Sequence, residues 1–173
     1  MIMNRFFVDA ETDGLYGSFL SVAAMVTDEN GAEIDRFYAA VDISFEQIET
    51  EWVKENVYPY LKNADIRFDT EEEMLDSFWD FWMKHRQTSV CIAYVQYPVE
   101  SRLFERCVMK NSTERAFWGP FPIYDLATLL DAKGLDFNAD MQKLSALDLA
   151  AHDAMSDVKM MAEVWKKLKK QML

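Results

Sequence analysis

The sequence predicts an α/β fold in which a central mixed β-sheet is flanked by α-helices. Two features of the element order support this fold class. Three strand-like apolar segments come first in the chain, and the later segments alternate between strand-like and helical patterns. Consecutive strands tend to pair antiparallel and helix-separated strands tend to pair parallel, so this order favours a mixed sheet covered by helices.

The predicted strands form an opening group of three and a later group of two. The first three cover residues 5–11, 18–28 and 32–41. The Asn30–Gly31 pair before the third strand is typical of a hairpin turn. We therefore expect a three-strand meander at the start of the chain. The two later strands are predicted at residues 89–95 and 120–126.

Four helices are predicted, and two of them carry N-terminal signals. Ser44 with Gln47, and Thr70 with Glu73, have the spacing of a capping box, in which each side chain bonds the backbone of the other residue. Apolar residues after Thr70 recur on one helical stripe, which indicates a helix packed against the core. The predicted helices cover residues 44–57, 74–85, 99–110 and 152–171.

Length and composition favour one domain over residues 1–173. Hydrophobic residues make up 50% of the 173 residues, so the chain can bury a substantial core. The net charge of −12 argues against a large basic surface for long duplex nucleic acid. Any polyanionic ligand must therefore be bound by a small group of residues rather than by an extended basic surface.

Cellular location is predicted from the absence of long apolar segments. The sequence shows no stretch typical of a membrane span or a secretory signal, so we expect a cytoplasmic protein without membrane partners. Cys91 and Cys107 do not have metal-site spacing. In that compartment we expect both as buried thiols rather than as a disulfide.

The stretch "FFVDAETDGL", residues 6–15, places two acids at the end of the first predicted strand. Alternate residues of a strand point to the same face, so Asp9 and Glu11 should lie side by side. Like charges held this close are unfavourable unless a cation lies between them. The stretch therefore predicts part of a metal site that carboxylates elsewhere in the chain complete.

Glu100, Asp157 and His152 are candidates for completing that site. Glu100 follows the strand at residues 89–95 and begins a helix, where a capping role would also explain an acid. Asp157 lies among inward-facing positions of the last predicted helix. Five residues turn a helix through about 500°, so His152 approaches Asp157 best if it stands just ahead of the first turn. His85 ends another helix, which favours an interaction with the helix dipole instead.

These motifs and their order resemble the DEDD superfamily of 3′-5′ exonucleases, in the histidine-containing subgroup with the ribonuclease H-like fold. "VDAETDGL" is similar to the family's Asp-x-Glu followed by Thr-x-Gly-Leu, and "HDAMSD" matches its His-x-x-x-x-Asp motif. The family places a further aspartate after a strand and before a helix, where this sequence has Glu100. Glutamate keeps the charge and is one methylene longer, so it could bind a metal directly or through water. Asp125, after a different strand, is the alternative assignment.

The resemblance implies a metal-dependent hydrolase. Its catalytic acids, which also bind two Mg²⁺ or Mn²⁺ ions, would be Asp9, Glu11, Glu100 and Asp157. His152 would act as the general base, and the product would be a nucleoside 5′-monophosphate. The implied partner is the 3′ end of single-stranded or short RNA or DNA, with RNA slightly preferred.

Substrate contacts are implied in two places. The turn after the first motif would hold the terminal nucleotide through Thr12, Gly14 and Leu15. A set of cations at helical spacing fits either phosphate contacts or a solvated helix face, and consists of Arg102, Arg106 and Lys110.

Two further expectations concern assembly and activity. Similar enzymes suggest a homodimer. The alternative to an active exonuclease is a catalytically weak nucleic-acid-binding or assembly protein, because Glu100 stands where the family has an aspartate.

Overall fold

The computed structural model describes residues 3–136, 138 and 140–170. Its strands are β1 (Asn4–Thr12), β2 (Phe19–Thr27), β3 (Glu33–Val41), β4 (Ile66–Phe68), β5 (Ser89–Ala93) and β6 (Ile123–Asp125). They form one sheet in the order β4-β3-β2-β1-β5-β6. The first strand therefore lies in the interior of the sheet, with a neighbour on each side.

The helices lie between and after these strands. They are α1 (Glu51–Asn56), α2 (Glu71–His85), α3 (Val99–Lys110), α4 (Ser112–Arg115), α5 (Leu126–Ala132), α6 (Met141–Ser145) and α7 (Ala154–Lys170). Two 3-10 helices, Phe45–Gln47 and Tyr58–Asn63, precede β4. No helix in the described ranges combines the length and the apolar character that crossing a bilayer requires.

The strand pairing is mixed, as the element order predicts. β1, β2 and β3 pair antiparallel in the predicted meander. Gly31, in the turn between β2 and β3, has a φ of 86°, which glycine adopts without steric cost. β4, β5 and β6 pair in parallel with their neighbours, since helical segments separate them along the chain. The structure thus confirms the α/β class with a central mixed sheet flanked by helices.

Alternation along β1 assigns its side chains to two cores. Phe6 packs with side chains of α2 and α3 on one face of the sheet. Phe7 packs with Val158 of α7 on the other face. Asp9 and Glu11 follow Phe7 at alternate positions, so they share the face that α7 covers. The sheet therefore presents both acids to the last helix.

The prediction of a continuous helix over residues 44–57 is wrong. Ser44 and Gln47 do form the capping box, but the element behind it is a 3-10 helix of three residues. Ile48 is then extended, with φ −78° and ψ 130°, and is buried in a cluster with β2 and β3 side chains. Burial of Ile48 interrupts the helix, and α1 begins only at Glu51.

The other predicted helices agree more closely with the structure. α3 has the predicted bounds, and α2 begins directly after Thr70, which forms the predicted capping box with Glu73. The helix predicted over residues 152–171 begins at Ala154, because His152 adopts a left-handed φ of 63°. Gln171, its predicted last residue, lies outside the described residues.

Short elements account for the segments that the sequence patterns missed. β4, α4, α5 and α6 contain between three and seven residues each, too few for a periodic pattern to emerge. Cys91 in β5 and Cys107 in α3 are free, buried thiols, as predicted.

Candidate active site

The acidic end of β1 extends beyond its neighbour β5. The parallel pairing of β1 with β5 ends at Phe7 opposite Ile92, whereas the antiparallel pairing with β2 continues to Thr12. Asp9 and Glu11 therefore lie on a strand end that is paired with β2 on one edge. The other edge is available to side chains from the helices.

Glu100 occupies that other edge. It lies in the first turn of α3, is 6% exposed, and its Oε1 accepts a hydrogen bond from the Ala10 backbone N–H at 3.4 Å. This contact places the Glu100 carboxylate beside the backbone that joins Asp9 to Glu11. The fold thus brings Glu100 next to Asp9 and Glu11.

Asp157 and His152 approach the same strand end from α7. Asp157 lies in the first turn of this helix, and its Oδ2 accepts a hydrogen bond from the His152 backbone N–H at 2.9 Å. His152 stands just ahead of the helix, as the turn geometry predicts. One ligand atom from each of Glu11, His152 and Asp157 lies within 4.8 Å of the others.

Burial and mutual repulsion raise the pKa values of these acids. Burial is the largest cause at Asp9, whose pKa lies well above its ordinary value, and the charges of the neighbouring acids raise it further. The pKa is raised to about 8 at Glu11, to about 8 at Glu100 and to about 7 at Asp157. Burial is again the first cause at each of the three. The cluster therefore favours any bound cation that offsets its charge.

A divalent cation fits this cluster because the acids lack cationic partners. None of the ion pairs in the described chain involves Asp9, Glu11, Glu100 or Asp157. Asp9 Oδ2 is buried and has no hydrogen-bond partner within the same residues. Carboxylate oxygens are the ligands that Mg²⁺ and Mn²⁺ prefer. The donor set and its charge thus fit a divalent metal ion.

Asp153 is a residue of this site that the sequence patterns missed. It is buried and accepts hydrogen bonds from the Tyr38 hydroxyl at 2.6 Å, the Asn63 amide at 3.1 Å and the Ser156 hydroxyl at 3.0 Å. These contacts tie the start of α7 to β3 and to the segment before β4, and they fix the chain next to His152. Two of the three partners are remote in sequence, so no local pattern indicates the network.

The turn after β1 is attached on one side to the start of α1. Asp13 accepts hydrogen bonds from the backbone N–H groups of Glu49 at 2.7 Å and Thr50 at 2.9 Å. Gly14 has a φ of 76°, and a Cβ atom there would lie 3.2 Å from the Thr50 hydroxyl. Both facts explain the glycine at this position. The turn is therefore a fixed feature beside the acidic strand end.

Arg102 of α3 holds the other side of this turn. Its guanidinium donates hydrogen bonds to the backbone carbonyls of Leu15 at 2.8 Å, Tyr16 at 2.8 Å and Gly17 at 3.2 Å. The Leu15 side chain is 63% exposed, and Tyr16 is similarly exposed, whereas Thr12 is buried. The turn thus presents an apolar and aromatic surface. The buried Thr12 supports the turn and is not part of that surface.

The cations that the sequence offered as phosphate contacts have partners within the protein. Arg102 binds the turn, Arg106 pairs with Glu71 at 3.2 Å, and Lys110 pairs with Asp76 at 2.5 Å. These ion pairs on the helix surface explain Arg106 and Lys110. Arg102 has a structural role that spacing alone does not indicate, because its acceptors are backbone carbonyls.

The alternative residues Asp125 and His85 have hydrogen-bond partners of their own elsewhere in the protein. Asp125 caps α5 by accepting the Thr128 N–H at 2.7 Å, and it also accepts the Gln96 N–H at 3.1 Å. His85 lies in the last turn of α2, where its Nε2 is 2.8 Å from Asp35 Oδ2. The structure therefore favours Glu100 over Asp125, and His152 over His85, as members of the site.

Solved structures of exonuclease I have the same architecture. The zinc-bound form of an E. coli exonuclease I complex with ssDNA superposes on this chain with a TM-score of 0.73 at 15% identity, covering 99% of this chain and 41% of the other. An E. coli complex with a dT13 oligonucleotide gives a TM-score of 0.72 at 14% identity, covering 96% and 41%. Exonuclease I from Methylocaldum szegediense gives 0.66 at 16% identity, covering 98% and 41%. The chain has the ribonuclease H-like fold.

The likeness to exonuclease I covers one part of those larger proteins. This chain spans about two fifths of their length, with 41% of each covered. No family model matches the sequence, and no curated protein matches it significantly. The ribonuclease H-like fold is therefore shown by the structure, at identities of 14% to 16%.

Stability without metal should fall as the pH rises across neutrality. The folded-state pKa values of Glu11, Glu100 and Asp157, about 8, 8 and 7, lie above their ordinary values of 4.5, 4.5 and 3.8. The folded protein therefore retains protons that the unfolded chain releases, and the stabilisation is lost as the pH rises through 7 and 8. Urea unfolding in EDTA should give a free energy of unfolding that decreases from pH 5 to pH 8.5.

Two variants serve as controls for this pH dependence. Glu11→Gln removes one of the coupled charges and should flatten the decrease, whereas Glu105→Gln, at an exposed position of α3, should not change it. Saturating Mg²⁺ should restore stability most strongly at the alkaline end. A free energy of unfolding that is constant or rises with pH in EDTA would contradict the raised pKa values of these acids.

Proposed function

We propose that the protein is a divalent-metal-dependent 3′-5′ exonuclease that acts on single-stranded 3′ ends. The observation that carries this proposal is the convergence of four acids and His152 at the end of β1, on the fold of exonuclease I. The order of the two sequence motifs agrees with membership in the DEDD superfamily. The exonuclease I structures with ssDNA and with dT13 support a single-stranded substrate.

The acids have the role of metal ligands in this proposal. Asp9, Glu11, Glu100 and Asp157 would hold two Mg²⁺ or Mn²⁺ ions. When bound, the ions supply charge stabilisation at the scissile phosphate and lower the pKa of the attacking water. Asp157 also accepts the His152 backbone N–H, so the same side chain fixes the backbone of the base and would contribute to the metal site.

His152 has the role of general base. Burial lowers its pKa below the ordinary value of 6.5, so the imidazole is largely neutral at neutral pH and able to accept a proton. Its ring nitrogen lies within 4.8 Å of carboxylate oxygens of Glu11 and Asp157. A water held at those oxygens would be within reach of the imidazole.

The substrate would enter beside the turn that follows β1. The exposed Leu15 side chain can pack against the terminal base, while Gly14 and Thr12 shape the turn behind it. A single strand suits this surface, since bases must be unstacked to contact it. RNA cleavage, with a slight preference over DNA, is the sugar specificity that we propose from the sequence resemblance.

A nucleic-acid-binding protein with little catalysis is the second candidate. One observation favours it: Glu100 already accepts the Ala10 backbone N–H, which uses part of its capacity to bind metal. An assay of nucleotide release separates the two candidates.

Release of mononucleotides from a 3′-labelled oligonucleotide is the first test. With Mg²⁺ or Mn²⁺, labelled nucleoside 5′-monophosphate should appear from single-stranded DNA and RNA of matched sequence, and EDTA should abolish it because the acids then lack their ions. A 3′-phosphorylated strand is the control for attack from the 3′ end. Binding of the strand without release, with either metal and either sugar, would favour the second candidate and overturn the first.

Substitutions of His152 and Asp157 distinguish the role of general base from the role of metal ligand. His152→Ala should lower kcat by roughly 10²- to 10⁴-fold, the usual contribution of a positioned base, with Mn²⁺ affinity retained. Asp157→Asn keeps an oxygen for the His152 N–H but loses the charge, so it should weaken both kcat and Mn²⁺ affinity. Titration calorimetry and initial rates provide the two measurements.

Asp148→Asn, at an exposed position outside the cluster, is the matched control and should behave as the wild type. Near-normal turnover in a folded His152→Ala protein would show that this histidine is structural. Unchanged Mn²⁺ affinity in Asp157→Asn would remove Asp157 from the metal site.

A further inference from the structure

We propose that Trp52 is a positioning residue, which holds the His152 imidazole in the orientation that the general base requires. The proposal rests on the proposed function for the role of His152. Trp52 lies in α1, which belongs to none of the motifs, and it is 50% exposed. Its contact with His152 explains why a large aromatic side chain stands at the edge of the site.

The backbone around His152 is fixed independently of its side chain. The residue has a φ of 63°, a conformation that few residues other than glycine adopt. Its N–H is bound by Asp157, and the next side chain, Asp153, is held by Tyr38 and by its other buried contacts. These bonds set the direction of the His152 Cα–Cβ bond but leave rotation of the imidazole free.

The Trp52 indole provides the contact that restricts this rotation. The centroids of the two rings are 4.7 Å apart and their planes meet at 82°, so the imidazole and the indole form an edge-to-face pair. Aromatic pairs prefer this arrangement and this range of separation. A ring nitrogen of the imidazole also lies within 4.8 Å of carboxylate oxygens of Glu11 and Asp157. The ring of this exposed residue therefore contacts the indole and also lies near the acids.

Two contacts fix the position of the Trp52 indole relative to β1. Asp13, in the turn directly after β1, accepts the backbone N–H groups of Glu49 and Thr50 just before α1. Val53, next to Trp52, is buried with Ile48 in a cluster against the sheet. Because α1 is anchored at both places, Trp52 keeps a fixed distance from the strand that carries Asp9 and Glu11.

A half-exposed indole could instead stack on a substrate base, which aromatic side chains do in many single-strand-binding proteins. The two roles differ in what they depend on. A positioning role acts only through His152, whereas a stacking role persists when His152 is absent and affects KM. The edge-to-face contact with His152 favours the positioning role.

NMR of the imidazole protons tests the contact without any assay of activity. The sequence has two histidines, so the spectrum contains two Cε1–H signals, which His152→Ala assigns. The ring current of Trp52 should displace the His152 signal in the wild type. Trp52→Ala should return it to the position of a free imidazole, Trp52→Phe should preserve most of the displacement, and the His85 signal should not move. An unmoved His152 signal in folded Trp52→Ala would overturn the proposal.

Kinetics in two backgrounds then separate positioning from stacking. Trp52→Ala should lower kcat by roughly 10- to 100-fold, the effect of a misplaced catalytic group, with KM nearly unchanged and partial rescue by Trp52→Phe. In the His152→Ala background it should have no further effect on kcat, because the two residues act as one unit. Phe45→Ala removes another exposed aromatic ring of the same region, one that contacts Tyr58 instead, and should leave kcat unchanged.

Two outcomes of the kinetic experiment contradict positioning. Equal losses in both backgrounds would identify Trp52 as a base-stacking residue, as would a loss confined to KM. If the wild type releases no nucleotide, the proposed function fails, and the NMR measurement still decides whether the indole holds the imidazole.

Discussion

Repulsion among the carboxylates at the end of β1 is the constraint on which the rest of the site depends. Asp9 and Glu11 share one face of the strand, and Glu100 and Asp157 approach them from the helices. Burial and the neighbouring charges raise their pKa values, so without a cation the cluster would be neutralised by protons. A divalent ion offsets the same charge at pH values where the acids would otherwise repel. In the function that we propose, one group of side chains would therefore link metal binding, stability and catalysis.

The fold meets this constraint by bringing the end of β1 and the starts of two helices to one place. β1 continues past β5, and the starts of α3 and α7 reach the strand end that β5 leaves unpaired, from the two faces of the sheet. Glu100 and Asp157 each accept a backbone N–H, which fixes their carboxylates before any ion binds. Asp9 Oδ2 has no such partner among the described residues. A bound cation would provide the partner that this oxygen lacks.

Local patterns predicted the parts of the site that depend on periodicity. Alternation along the strand placed Asp9 and Glu11 on one face, and helical rotation placed His152 ahead of the first turn of α7. The interruption at Ile48 escaped prediction, because a buried contact with β2 and β3 overrides the helical signal of the capping box. The roles of Asp153, Trp52 and Arg102 escaped prediction because their partners lie far away in sequence. These partners include a phenol, an imidazole and backbone carbonyls.

Diffraction from crystals grown with Mn²⁺, recorded at the manganese absorption edge, tests the central claim most directly. The account predicts two anomalous peaks about 3.5 to 4 Å apart, the spacing of two-metal sites, within bonding distance of oxygens from Asp9, Glu11, Glu100 and Asp157. Loss of the peaks in Asp9→Asn crystals would tie them to these acids. Fully occupied manganese elsewhere on the protein, with no peak among the four carboxylates, would contradict the account.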